Sequence, residues 1–158
     1  MLINKKNISL IFINFFWIFF IPHNIKILSF IVATSFSLIE YIFTGLFYNN
    51  RLNITKFKHT NCQTSYSQYY ANLYYTPVLF YANNIYNNQT ISIILFPFNV
   101  WICELIIGQY LLYVFNKRIW YYNDNYSYFN GFITLNYFIY WLYLGLLFNM
   151  FIYLFGFI

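Results

Sequence analysis

The chain has 158 residues, of which 61% are hydrophobic, 28% aromatic and only 7% charged, with a formal net charge of +5. A soluble domain of this size carries roughly 25% charged residues, so this chain lacks the polar groups to cover a water-facing surface. The same figures exclude collagen, intrinsic disorder, a coiled coil and a disulfide scaffold, which leaves an all-α, polytopic helical membrane protein.

The first apolar run, Ile8 to Ile21, follows Lys5 and Lys6 and stops at Pro22-His23. No small-x-small cleavage site follows it, so it reads as a membrane span rather than a removed signal peptide. It is short against the ~20 residues that cross a bilayer, and Leu2-Ile3 can lengthen it. Ile27 to Tyr48 is long enough to cross and carries Glu40. Asn49 to Tyr70 is a polar loop with Arg51, Lys56, Lys58 and His59. Ala71 to Tyr86, interrupted by Pro77 and ended by Asn83-Asn84, reads as a short span or a re-entrant piece. Ile91 to Phe115 is a strong span containing Pro97 and Glu104. Asn116 to Asn130 is a polar loop rich in Tyr and Asn, with Lys117, Arg118 and Asp124, and Phe132 to Ile158 is an uncharged span long enough to tilt. The expectation is one transmembrane domain over 1–158, with about five membrane-embedded segments near 8–21, 27–48, 71–86, 91–115 and 132–158.

The basic residues test that number. Five crossings put every Lys and Arg except Lys26 on the side of the N-terminus, whereas dropping the first run divides them between the two sides. The positive-inside rule therefore favours five. Because the eight basic residues are scattered singly or in pairs, no cationic stripe forms and no nucleic-acid partner is expected.

The residue bias also speaks of the gene. Phe, Tyr, Ile and Asn number 21, 19, 24 and 20, against Gly 5, Ala 3, Arg 2 and Pro 3. The first set has AT-rich codons and the second GC-rich ones, yet Lys, another AT-coded residue, numbers only 6. AT bias with scarce Lys and many aromatics resembles the open reading frames of ciliate and similar protist mitochondria. That resemblance implies a multi-pass protein of the mitochondrial inner membrane with its N-terminus in the matrix.

Residues able to carry chemistry are few. Glu40 and Glu104 are the only carboxylates in the expected spans. An unpaired charge there costs several kcal/mol, so each is either part of a proton or ion relay or a neutral acid hydrogen-bonded within a helix bundle. With no third carboxylate and no nearby His, the second reading is preferred. Glu104 is expected to be neutral or paired with another helix or subunit, because Lys117 lies about 20 Å further along its own helix axis. Cys62 and Cys103 have no CxxC spacing and read as plain thiols. His23 and His59 are too few and too separated for bis-histidine haem, and no nucleophile motif, phosphate loop or metal cluster is present. Four Asn-x-Ser/Thr sequons, at Asn7, Asn53, Asn88 and Asn125, are what chance gives in a chain with 20 Asn. No enzyme activity, cofactor or metal is expected.

The most patterned stretch starts at Glu104. Glu104 and Gly108 share one helical face a turn apart, which permits close helix contact. Phe115-Asn116-Lys117-Arg118-Ile119-Trp120-Tyr121-Tyr122 follows as a basic-aromatic girdle suited to the membrane interface, with Lys117, Arg118 and Trp120 expected near lipid headgroups. Asn130-Gly131-x-Ile133-x-Leu135 then turns the chain back into the membrane. This spacing resembles the CmpB-type ABC-transporter permease family of small polytopic membrane proteins, whose animal relatives are known only as numbered transmembrane proteins. Its pattern is a membrane Glu and a small residue, then Phe-Asn-x-Arg-x-Trp-Asp-Tyr, then Asn-Gly-x-Ile-x-Leu. Glu104, Gly108, Phe115, Asn116, Arg118, Trp120, Tyr122, Asn130, Gly131, Ile133 and Leu135 match it. Glu40 with Ile42-Phe43-Thr44 resembles the family's earlier glutamate-bearing span. Tyr121 stands where the family has Asp, and Phe36 where a Gly precedes the first Glu. The likeness covers roughly residues 30 to 150, is dense only over 104 to 135, and implies topology more than activity.

Two functions follow as expectations. The first is a non-catalytic structural or accessory subunit of a mitochondrial inner-membrane, respiratory-chain complex, packed against other subunits and lipids, with cardiolipin near Lys117, Arg118 and Trp120. The alternative is a membrane transport or permease-like component, resting on the family resemblance and the two glutamates. A proton-channel core would need a chain of buried ionisable groups that this sequence lacks.

Overall fold

The computed structural model describes residues 5–49, 66–86, 88–116, 118 and 120–155. Among the described residues 81% are helical. Among these residues five helices occur in order: α1 (Lys5–Phe20), α2 (His23–Asn49), α3 (Tyr66–Ile85), α4 (Gln89–Phe115) and α5 (Phe138–Leu154). Between α4 and α5 lie two short antiparallel strands, β1 (Ser127–Tyr128) and β2 (Ile133–Thr134), and a 3-10 turn, Leu135–Tyr137. Three helical stretches, His23–Ile42, Gln89–Val114 and Leu135–Leu154, are long and apolar enough to cross a membrane, and Ile8–Phe20 is apolar but shorter. These apolar helices mark a membrane protein. Helix α3 lies outside that set because Tyr and Asn dilute its apolar residues.

Local chemistry sets the helix ends. Asn88 caps α4, its side-chain oxygen accepting from the backbone N–H groups of Thr90 and Ile91 at 2.9 and 3.2 Å. Asn116 ends the same helix in the left-handed region (φ 55°), and its N–H returns to the carbonyl of Leu112 at 2.9 Å. Pro77 and Pro97 sit inside α3 and α4 and are buried. Each removes one backbone donor, which transmembrane bundles tolerate because neighbouring groups re-satisfy the freed carbonyl.

Successive helices pack in pairs: α2 on α3, α3 on α4 and α4 on α5. Between lipid-bathed helices the hydrophobic effect supplies little, so close contact and hydrogen bonds hold the bundle. Small residues are accordingly buried: Ser29 and Ala33 one turn apart on α2, Ala71 on α3, and Gly145 on α5. A Cβ at Gly145 would lie 2.7 Å from the Cβ of Phe96 on α4. The core joins Ile25 and Leu28 of α2, Tyr75 and Leu79 of α3, Val100 and Trp101 of α4, and Trp141 and Ile152 of α5. The outer faces are apolar and open, with Phe12 and Phe19 of α1 each 68% exposed. Helix α1 is held by sparse polar contacts, Ser9 Oγ to Tyr110 Oη at 3.0 Å and Tyr74 Oη donating to Asn14 Oδ1 at 2.6 Å. Trp17 also meets Phe30 edge-on.

These contacts make the helices run alternately up and down. The starts of α1, α3 and α5 and the ends of α2 and α4 therefore share one end of the bundle, which we call the cap end. At the far end the bundle is pinned by a neutral polar clamp. Asn83 of α3 donates to Asn149 Oδ1 of α5 at 3.2 Å, Asn149 donates to the Gly145 carbonyl at 2.9 Å, and Ser92 of α4 donates to Asn83 Oδ1.

The segment 132–158, read as a single span, is corrected at its start. Its first residues form β2 and the 3-10 turn, and α5 begins at Phe138. The cause is the turn at 129–131, where Phe129, Asn130 and Gly131 all take positive φ (51°, 57° and 80°) and fold Ile133 back onto Tyr128.

Candidate functional site

The described part of the segment between α4 and α5 is a structured cap laid along the C-terminal half of α4. Asp124 organises it. Its Oδ1 accepts from the Tyr126 N–H and from Thr134 Oγ1, each at 2.9 Å, while its own N–H donates to Ser127 Oγ at 3.0 Å. Short polar side chains that bond their own backbone in this way fix turns. Leu135 N–H donates to the Tyr126 carbonyl at 3.1 Å and closes the hairpin. Gly131 is required at its place. Its φ is 80°, and a Cβ there would sit 2.5 Å from the Tyr122 carbonyl oxygen.

Gly108 receives the cap. A Cβ on it would lie 2.7 Å from Phe132 Cδ1 and 2.9 Å from Trp120 Cζ2. The close approach expected at Gly108 is thus made by two aromatic rings of the cap, not by a neighbouring helix. Trp120 is half-buried, and its Nε1 donates to the Phe132 carbonyl at 3.0 Å. Arg118 donates to the Asn130 carbonyl and lies over the rings of Tyr121 and Phe132, 5.1 and 5.0 Å from their centroids. Such cation–π contacts contribute about 0.5–1 kcal/mol where exposed. Tyr121, at the position where the resembled pattern carries Asp, therefore meets the arginine with a ring face instead of a carboxylate.

The cap delivers Tyr122 to Glu104. The phenol donates to Glu104 Oε1 at 2.8 Å, and Glu104 is only 6% exposed. Its second oxygen, Oε2, is buried with no hydrogen-bond partner among the described residues. Glu40 of α2 is half-buried and near enough for its charge to act on Glu104. Tyr122 belongs to the cap. Burial foremost, and Glu104 beside it, hold its phenol well above the usual range, so it stays a donor throughout the physiological pH range.

Glu104, Gly108, Arg118, Trp120, Asn130 and Gly131, separated in sequence, thus meet in one structural unit. Lys117 lies outside the described residues, as do Arg51, Lys56, Lys58, His59 and Cys62. His23 opens α2 on the exposed surface, and Cys103 is a buried free thiol. Phe36, where the resembled pattern has Gly, stacks on Trp141 of α5 at 5.7 Å and 9°. Among the described residues, no three of His, Cys, Asp and Glu are placed to hold a metal ion. Two cap residues carry more than their sequence context suggests. Asp124 looked like a loop charge and Thr134 like the start of a span. An Asp three residues before a Ser, followed by an Asn-Gly turn, is the signal that marks the hairpin.

A lateral cavity of about 80 Å³ opens among α2, α3, α4 and α5, lined by neither glutamate. Comparison with known protein families, characterised proteins and solved structures finds no match to this chain.

Proposed function

We propose that the chain is a non-catalytic structural or accessory subunit of a mitochondrial inner-membrane, respiratory-chain complex. The observation that carries this reading is how its buried polar groups are spent. Tyr122 closes on Glu104, and Asn83, Ser92 and Asn149 close on one another, so polar atoms join pieces of one bundle. The aromatic, charge-poor composition supports an organellar origin, and the open apolar faces of α1, α2 and α5 suit burial by lipid and neighbouring subunits. In this reading α1 and α3 are embedded beside the three longer spans, giving five segments with the cap end and its basic residues in the matrix. Cardiolipin near Lys117, Arg118 and Trp120 belongs to the same reading.

A transport role is the second reading, and one observation favours it: Glu104 Oε2 has no hydrogen-bond partner among the described residues, and the charge of Glu40 acts on Glu104. Blue-native electrophoresis followed by mass spectrometry tests the first reading, which expects migration with respiratory-chain subunits; migration as a free small protein overturns it. Glu104→Gln separates the two. The amide still accepts from Tyr122, so a structural role expects assembly and electron transfer within twofold of the unaltered complex. A relay expects proton movement to be lost while the complex stays assembled.

A further inference from the structure

The cavity named above lies between α2 and α5, which α3 and α4 back from behind. On its rim, Ile39 and Leu147 are nearly half exposed, so it opens sideways, into the lipid if these helices cross a membrane. Its walls are polarised along the bundle axis. Asn72, Tyr75 and Trp141 contribute from positions nearer the cap end, whereas Ile31, Leu79 and Phe151 line it toward the far end. Tyr75 donates to Asn72 Oδ1. Trp141 is different: it is 94% buried, and its Nε1–H has no acceptor among the described residues. A buried indole N–H normally finds a partner, and leaving one unmade is costly. Ser35 and Asn72 line the slot as well, but among its lining side chains Trp141 Nε1–H is the buried donor left without a partner among the described residues. An apolar slot with such a donor toward one end is complementary to an extended hydrocarbon chain carrying an acceptor oxygen near its end.

We propose that this cleft holds one acyl chain of a membrane lipid, with Trp141 Nε1 donating to the chain's ester carbonyl and the tail running toward Leu79 and Phe151. Phe36 stacked on Trp141 fixes the indole plane, so the donor is positioned before the lipid arrives. The proposal rests on the membrane reading of the helices but not on the choice of complex.

The test uses the full chain in bilayers of phosphatidylcholine bearing a diazirine in one acyl chain, with cross-links mapped by mass spectrometry. Expected is labelling concentrated at Leu79, Leu144, Leu147 and Phe151, reduced at least fivefold by the cavity-filling Leu144→Phe. The ester lipid should label the cleft several-fold more than its ether-linked counterpart, which lacks the carbonyl. Trp141→Phe keeps the stack and should abolish that preference. Labelling spread evenly over the outer faces of α1, α2 and α5, or cross-links from the cleft to a second protein, overturns the cleft assignment. Equal labelling by ester and ether lipids overturns the role of Trp141, and this arm needs no variant. Release of the chain from membranes by alkaline carbonate would instead overturn the membrane reading itself.

Discussion

The two ends of the bundle bury polar groups in opposite ways. At the far end, three neutral side chains from three helices satisfy one another, and Asn149 also bonds the carbonyl of its own helix. At the cap end, an ionisable carboxyl takes one hydrogen bond from a loop, and its second oxygen has no partner among the described residues. The far end fastens helix to helix; the cap end fastens a loop to a helix. A closed neutral network fixes geometry and offers nothing to titrate, whereas a half-satisfied acid keeps a group able to change state. If the chain does more than pack, the difference points to the cap end.

The comparison breaks most severely at Gly108. Gly108→Leu drives a side chain into the space held by Phe132 and Trp120 and should cost about 3 kcal/mol, nearly all of it in the cap. Chymotrypsin should then cut within 120–134 while cross-links across the far-end clamp persist. Equal loss at both ends would show that the two ends are one cooperative unit. Smaller is the effect of Asn83→Leu, which strands Asn149 and Ser92 and should cost about 1–2 kcal/mol. A double-mutant cycle with Asn149→Leu checks it, and additivity would deny the clamp.

Tyr122→Phe is smaller again, about 1 kcal/mol, because it removes one donor and leaves the ring in place. The pH dependence follows from its raised pKa. The native cap binds the phenolic proton more tightly than the unfolded chain does, so Tyr122's contribution is complete below the ordinary phenol value of about 10. It is lost as pH climbs from there through the native value. Hydrogen exchange of cap amides should accelerate over that window in the unaltered chain, and Tyr122→Phe should flatten the Tyr122-linked part of the change.

Much of the helix layout was legible in the sequence. Apolar runs placed α1, α2, α4 and α5, with ends off by a few residues, because an uninterrupted apolar stretch admits few alternatives in a membrane. Helix α3, read from an interrupted run, begins at Tyr66, inside the stretch 49–70 read as a polar loop, since its Tyr-rich first turns give no apolar signal. Gly108 stood out as a close-approach position, but its partner did not, since spacing on one helix cannot say what crosses it. Tyr122 stood in the resembled pattern, but nothing local says that, among 19 tyrosines, it is the one that reaches Glu104. The hairpin was missed because Phe132, Ile133 and Leu135 extend the apolar run of α5, and the positive-φ turn that separates them is written only in Asn130-Gly131.

The separation of bonded partners along the chain has a consequence for the order in which the molecule is made. Glu104 and Tyr122 are 18 residues apart, whereas Asn83 and Asn149 are 66 apart. Closing the longer loop costs only ~1 kcal/mol more in chain entropy, so thermodynamics barely distinguishes the two. Synthesis does distinguish them, because it delivers residues from the N-terminus onward. The cap can settle on α4 while α5 is still being extruded, and the clamp can shut only once α5 has arrived. The acid would thus be shielded at birth, before the last helix seals the opposite end.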